Sequence, residues 1–335
     1  MRNVQGGILN FKIKEQQFDI YLYWINERMN IFWRRLEDNP VKIQKYMFGS
    51  KKIWTEDTIF QNYKFTNVYR SLDRVSQYLI NNVIYERRDF SEEEVLFRIL
   101  FFKLFNKIET WELFKKEYGY IDNSLIYERW SELDNFVINK LNENYSLFSN
   151  AYVLSTAVKD EKYHHRKYLL SYKKYIFDNF DNFVNVNSLE ELFGKFISIP
   201  YIGNFLAMQF TIDCNYSEVF SFNENEFIIP GPGALRGIDR CFEGQKTQGD
   251  YIEIIKWVQE NFDNLMKDAG YDFKSLPNRK PTLIDLQNCF CETDKYLRGL
   301  GQTQEGILGK RIKQNFKETS KKIEYCFPSK WGVNF

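Results

Sequence analysis

Apolar residues return along most of this chain at the three-and-four spacing of helices, not at the strict alternation of half-buried strands. Between Glu15 and Glu37 the positions Phe18, Ile20, Tyr21, Tyr23, Trp24, Ile25, Met29, Ile31, Phe32 and Leu36 are dense enough for a buried helix, which Asn39-Pro40 ends. Ser91-Glu-Glu-Glu94 has the form of a capping box and opens an apolar helix from Val95 to Phe105. A second box, Ser188-Leu-Glu-Glu191, starts a helix ending near Ser198. Thr55-Glu56-Asp57 and Glu109-Thr110-Trp111 mark further helix starts, and helical segments are predicted over Ser131–Asn142, Tyr163–Phe180, about 248–268 and 283–298. The pattern predicts an all-α fold: one unit, 1–335, of two interlocking helical lobes with a cleft between them. One lobe holds 60–79 and 91–118, the other about 188–245, and helices over 248–335 follow.

Two stretches break the plain core pattern. In FISIPYIGNFLAMQFTIDCNYSEVFSFNENEFIIPGPGALRG, residues 196–237, a helix ends, Ile199-Pro-Tyr-Ile-Gly203 makes a tight turn, and an apolar helix restarts at Asn204. That is the grammar of a helix-hairpin-helix, whose turn points backbone N–H groups at one nucleic-acid phosphate; Tyr201, Gly203 and Asn204 would surround it. A buried helical turn is the other reading. In Asn62–Tyr78, polar Asn62, Tyr63, Asn67, Arg70, Asp73 and Arg74 alternate with apolar Phe65, Val68, Tyr69 and Leu72. On a helix, Asn67, Arg70 and Arg74 share one face and Tyr69, Asp73 and Gln77 another, which suits either phosphate and base edges or a charge-laced surface.

Four segments in order, FQNYKFTNVYRSLDRVSQYL at 60–79, FKLFNKIETWELF at 102–114, PGPGALRGI at 230–238 and LIDLQNCFCETDKYLR at 283–298, carry a family resemblance. Over roughly residues 15–300 the chain resembles the alpha-glutamyl/putrescinyl thymine pyrophosphorylases, also called the 5-hydroxymethyluracil DNA kinase helical domain. The resemblance implies a helical protein distantly similar to helix-hairpin-helix DNA glycosylases and acting on modified pyrimidines in DNA. Some members of the family elaborate hypermodified thymines; others are antiphage glycosylases that excise glucosylated hydroxymethylcytosine.

Against helix-hairpin-helix glycosylases the chain departs in three places. Tyr201 stands where relatives carry a second glycine. Phe205 stands where bifunctional members carry the Schiff-base lysine, so no lyase step is expected. The place of the glycosylase aspartate falls by context on Pro230-Gly-Pro-Gly233, which has no carboxylate, and by residue count near Glu224 and Glu226. Cleavage of a glycosidic bond needs a carboxylate, because its transition state carries oxocarbenium character. Asp213 is the first candidate, Asp73 and Asp239 follow, and Glu224 and Glu226 stand behind them.

A net charge of +1 leaves no global field toward DNA, so a phosphate-binding face must be local. The runs Arg34-Arg35, Lys51-Lys52, Arg87-Arg88 and Lys310 to Lys317 could supply one. The high aromatic content reads mainly as helical core. The five cysteines form no CxxC pair and the two histidines are adjacent, so neither a metal site nor a cofactor is predicted. With no charged-then-apolar leader and no apolar run long enough to span a bilayer, the expectation is a cytoplasmic monomer.

Three functions remain open. The favoured one is a monofunctional DNA glycosylase that flips and excises a bulky modified pyrimidine, of the glucosylated hydroxymethylcytosine type, from phage DNA as antiviral defence. Asn62, Tyr63 and Asn67 would read the base, and Arg70, Arg74 and Arg236 the backbone. The alternative is a hypermodification transferase acting on activated 5-hydroxymethyluracil in DNA, with Gly231 and Gly233 at a phosphate or leaving pyrophosphate. The third is an inert DNA-binding module. No GxxxxGK[ST] loop occurs, so the kinase part of the family name is set aside here.

Overall fold

The computed structural model describes residues 11–46, 49–87, 89–149, 163–301, 312, 314–316 and 323–334. Arg88, most of the expected lead-in over 1–14, and the four basic residues of the run Lys310 to Lys317 lie outside them. The helices in chain order are α1 (Glu15–Leu36), α2 (Thr58–Asn62), α3 (Arg74–Tyr78), α4 (Glu92–Phe105), α5 (Ile108–Tyr118), α6 (Ser124–Tyr127), α7 (Trp130–Asn142) and α8 (His164–Tyr175). They continue with α9 (Phe180–Val184), α10 (Leu189–Ile197), α11 (Asn204–Cys214), α12 (Pro232–Cys241), α13 (Gln248–Glu260), α14 (Phe262–Asp268) and α15 (Leu283–Gly299). The sheet among the described residues is one hairpin, β1 (Lys42–Tyr46) against β2 (Gly49–Ile53), with Lys42 opposite Ile53. The all-α expectation holds, and no helix among the described residues is long and apolar enough to cross a membrane.

The chain divides into two compact units. Residues 1–73 and 228–322 form one, and residues 74–227 and 323–335 the other.

In the first unit α15 is the axis. Its long run of buried residues includes polar Asp285, Gln287, Glu292, Thr293 and Asp294 as well as apolar Leu286, Phe290 and Leu297. Tyr21 of α1 stacks on Phe290 at 4.0 Å between ring centroids, and its hydroxyl points to the Leu286 carbonyl at 3.4 Å. On another side α12 comes close, because its contact residues are glycines. A Cβ at Gly237 would lie 2.0 Å from the Phe290 carbonyl oxygen, and one at Gly233 would lie 2.3 Å from Cys291 Sγ.

In the second unit α4 is buried on most of its circumference, opened by the Ser91–Glu94 capping box read from the sequence. Phe97, Phe101, Phe105, Trp111 and Phe114 interlock edge to face and in stacks, which accounts for much of the aromatic content as core. Arg98 is buried in the same helix. It donates to the carbonyls of Val83 and Ile121 and lies over Phe90 and Trp111. Its Val83 partner belongs to a wide π-helical turn, Leu79–Ile84, whose looser ladder leaves a carbonyl for a side chain to satisfy. Helices α10 and α11 pack on each other, and α11 packs on α4.

The glycines give a paired prediction. Gly237→Ala has to push against backbone, which outweighs the gain in helix propensity and costs about 2 kcal/mol, a fall in Tm of roughly 5 °C. Gly194→Ala, inside α10 with open space at its Cβ, is expected to stabilise by up to about 1 kcal/mol. Thermal melts of the two variants beside the parent chain decide it, and equal effects would remove the α12–α15 contact as the explanation.

Candidate functional site

Residues 62–78 do not form the continuous helix that their polar spacing suggested. Helix α2 ends at Asn62, residues 63–69 run without helix, a 3₁₀ turn spans Arg70–Leu72, and α3 begins at Arg74. The reason lies in α15. A chain running beside no partner strand must find other partners for its buried backbone groups, and α15 supplies them from side chains on one face. Asp285 Oδ1 accepts the Arg70 N–H at 2.7 Å, Glu292 Oε2 accepts the Thr66 N–H at 3.1 Å, and the Cys289 thiol points to the Val68 carbonyl at 3.8 Å. From α1, Arg28 Nε donates to the Thr66 carbonyl at 2.8 Å. The two runs match in length. Seven helical residues from 285 to 292 rise about 10 Å, and four extended ones from 66 to 70 span about 13 Å.

Within this segment the backbone N–H of Asn67 donates to Asp73 Oδ1 at 2.8 Å and its side-chain amide donates to the same oxygen at 3.1 Å. The amide also reaches the Leu72 carbonyl at 2.9 Å, so Asn67 closes a loop around the Asp73 carboxyl. Burial pushes the Asp73 pKa up to about 6, against the lowering effect of the Asn67 N–H and the Arg28 charge, while Glu292 adds to the rise. Asp285 is likewise raised by burial, opposed by Arg279 and by the N–H groups of Thr282 and Arg70. Glu292 is held by Lys295 at 2.6 Å. The result is a carboxyl whose pKa is pushed up to about 6 against the opposing charge of Arg28, an arrangement suited to taking and returning a proton.

The remaining residues singled out in the sequence are distributed as follows. The Asn62 carbonyl accepts the Phe316 N–H at 2.9 Å, and Tyr63 bridges to Asn315. Arg70 is buried. Arg74 belongs to the other unit, exposed and 3.7 Å from Glu109, so the shared face of Asn67, Arg70 and Arg74 is not formed. Gly231 caps α12, its N–H donating to Gln287 Oε1 at 3.2 Å, and Gly233 admits Cys291. Arg236, Arg240 and Arg298 surround the buried Asp294 carboxylate at 3.6, 2.8 and 3.3 Å. Asp239 accepts from Tyr251 and Lys246. At 100° per residue the positions 287, 291, 294 and 298 fall on the side of α15 opposite 285, 289 and 292. Asp73 and the glycine turn therefore lie across a helix from each other and do not make one site.

In the second unit the hairpin is present: α10 ends at Ile197 and α11 starts at Asn204, as the sequence indicated. Tyr201 sits at φ +73°, in the left-handed region that glycine fills at no cost. Its carbonyl accepts from the Tyr168 hydroxyl at 3.2 Å and its ring meets the Tyr168 ring edge to face, which holds the turn despite the strain. Gly203 is exposed at the start of α11, with nothing within 4 Å of where a Cβ would be. Asp213, the first-ranked acid, is fully buried and faces buried Lys103 at 3.1 Å, and Lys103 also donates to Asn106 Oδ1 at 2.8 Å. A sugar could reach that carboxylate only if α11 and α4 separated. Glu224 is buried too, and Glu226 is exposed.

Arg28, Asp285, Glu292 and Lys295 were not singled out from the sequence. The available signal was the acidic residues at positions 285 and 292, two turns apart on one face of a predicted helix.

Residues 15–305 match the family model described as 5-hmdU DNA kinase, helical domain. The chain belongs to this family. A 5-hmdU DNA kinase of Bacillus phage SP10 is 26% identical over 336 residues, covering 93% of this chain and 50% of the phage protein. The chain thus spans about half the length of the curated relative it matches. No solved structure matches it. Membership in a family named for a DNA kinase overturns the favoured expectation: the names point to phosphotransfer, a transferase reaction, and not to hydrolysis of an N-glycosidic bond. The glycosylase reading, with base excision and the antiviral role drawn from it, is withdrawn. The kinase label set aside for want of a P-loop is the one that the family description and the phage protein carry.

Asp73 offers a direct check. Its folded pKa of about 6 lies above the ordinary 3.8, so the folded chain binds this proton more tightly than the unfolded chain does. That stabilisation is complete below about pH 4 and is lost as pH rises through about 6. Asp73→Asn does not titrate, so its Tm relative to the parent should improve as pH is raised across this window and level off above it. Movement in the opposite direction would mean a carboxyl held below its ordinary pKa.

Proposed function

We propose that this chain is a transferase of DNA-base modification that phosphorylates 5-hydroxymethyluracil in DNA. One observation carries the reading: residues 66–73, within the 60–79 segment that bears the family resemblance, are pinned on α15, which is itself the 283–298 segment, and hold there a carboxyl whose pKa is pushed up to about 6. In this reaction the hydroxymethyl oxygen attacks the transferred phosphorus. The new O–P bond forms while the bond from phosphorus to the donor's leaving oxygen breaks, and the hydroxyl proton goes to a positioned carboxylate. Asp73 is the carboxylate we assign, Asn67 positions it, and Arg28 stabilises its charged form.

Transfer onto an already activated ester would put the emphasis on a leaving-group site at the glycine turn. Gly233 and Gly237 are accounted for by the close approach of α12 to α15, which favours activation of the acceptor hydroxyl over departure of a pyrophosphate. The hairpin of α10 and α11 would hold a backbone phosphate at the N–H groups beside Gly203, a sequence-independent contact that positions the strand. Such a reaction belongs in the compartment that holds the DNA.

The test is a duplex carrying 5-hydroxymethyluracil beside one carrying thymine, each incubated with the full chain and γ-labelled ATP, with abasic sites counted in parallel. Label should appear on the hydroxymethyluracil strand alone, without abasic sites. Asp73→Asn should slow labelling on the order of 10²-fold with DNA affinity kept within severalfold. No label, or equal label on thymine DNA, would sink the proposal. Gly203→Arg fits sterically, so it should leave the fold intact while weakening DNA binding roughly tenfold, about 1.4 kcal/mol, at low salt. Unchanged affinity would remove the hairpin from the contact surface.

A further inference from the structure

Little of the β1–β2 hairpin is used by the core. Residues 41–45, 50 and 51 are exposed, Ile43 by 53%, and among the described residues no third strand pairs with either outer edge of the ribbon. Its root is fastened by other means: Arg34 Nη1 donates to the Trp54 carbonyl at 3.0 Å, Lys52 pairs with Asp38 at 2.6 Å, and the Arg35 guanidinium lies over the Trp54 ring. A lone two-stranded hairpin is marginal in water, so these contacts are what hold it.

From Val41 to Thr55 the sequence has four lysines and no acidic residue. Lys52 is taken up by Asp38, while Lys42, Lys45 and Lys51 make no ion pair among the described residues. The register distributes these three over both faces. Lys42 is opposite Ile53 and Gln44 is opposite Lys51, so Lys42 and Lys51 share one face, and Lys45, an odd number of residues from Lys42, lies on the other with Ile43.

Three cations outside any ion pair on a thin exposed ribbon make a local positive field in a chain whose net charge is only +1. Strands of this length span about 17 Å, and a two-stranded ribbon fits the major groove of duplex DNA, which is about 12 Å wide and walled by phosphates on both sides. We infer that the ribbon docks in a groove of duplex DNA, with Lys42 and Lys51 toward one phosphate wall and Lys45 toward the other. The contact reads charge and groove shape and carries no base information, so it places the duplex without selecting its sequence. That the polyanion is DNA rests on the proposed function; the exposed, unpaired lysines do not.

The test is the salt dependence of binding. The full chain is titrated into a short labelled duplex of unmodified DNA and, separately, into a labelled oligothymidylate of equal length, following fluorescence anisotropy over about 50 to 200 mM salt. The parent is compared with the triple variant Lys42→Gln/Lys45→Gln/Lys51→Gln and with Lys116→Gln/Lys256→Gln/Lys267→Gln, which removes the same charge from α5, α13 and α14. All six side chains lie outside the core, and circular dichroism confirms that both variants fold. Each lost phosphate contact takes about 0.9 from the slope of log affinity on log salt, so the ribbon variant should bind duplex with a slope shallower by roughly 2 to 3 and about tenfold or more weaker at low salt, the control keeping the parent's slope. Equal slopes in parent and ribbon variant, equal losses in ribbon variant and control, or a loss confined to the single strand would each overturn the inference. Lysines on a ribbon edge also discourage pairing with another chain; association of the ribbon variant in size-exclusion chromatography with an unchanged slope would assign them that role and overturn the docking surface. A parent chain that binds duplex through the ribbon yet labels no hydroxymethyluracil DNA keeps the surface and loses the phosphotransfer reading, whereas labelling with the ribbon variant's affinity unchanged loses the surface alone.

Discussion

The backbone between Tyr63 and Arg70 has no strand partner from Thr66 to Arg70, a run buried from Val68 onward, and the surrounding part of the first unit is built to meet that constraint. Leaving a buried N–H without an acceptor costs on the order of 1–3 kcal/mol, and carboxylates are the strongest acceptors available. Asp285 and Glu292 meet the Arg70 and Thr66 N–H groups, and Arg28 meets the Thr66 carbonyl. Charged groups have thus been brought into a helix interface for a backbone purpose. Once there, they set the electrostatics of whatever lies beside them, and Asp73 lies beside them.

The opposite side of α15 meets a different requirement. Helix axes packed through glycine lie nearer than the usual 8–10 Å, because no side chain intervenes. Gly233 and Gly237 serve that approach, with Cys291 and the Phe290 carbonyl as the facing atoms. Three arginines then converge on Asp294, whose burial makes a single carboxylate sufficient to collect them. One helix therefore separates two charged neighbourhoods of opposite design: carboxylates holding backbone on one side, and guanidinium groups gathered on a carboxylate on the other.

How much of this was legible in the sequence depended on whether the signal was local. The capping box at Ser91–Glu94 rests on side chains within a few residues of the backbone they serve, and the starts of α1 at Glu15 and of α11 at Asn204 follow local apolar spacing and the Gly203 turn; all of these were read correctly. The helix expected across residues 62–78 failed because three-and-four polar spacing also fits an extended chain whose partners lie more than 200 positions away. The β1–β2 hairpin went unread because KIQKY and GSKKI carry few apolar residues to alternate. Asp213 was ranked first for its place at the end of a hairpin helix. Its burial against Lys103 comes from the packing of α11 on α4, which local sequence does not encode.

The position of Arg28 joins the candidate chemistry to the first unit's architecture. Its Nε is committed to the Thr66 carbonyl, which fixes the guanidinium beside the segment pinned on α15. A cation in that position favours the charged form of Asp73, while burial favours the neutral form, and the two oppose each other at a pKa raised to about 6. One side chain thus serves the backbone by its Nε and the carboxyl by its charge, so the contact that satisfies the Thr66 carbonyl also governs how readily Asp73 exchanges its proton.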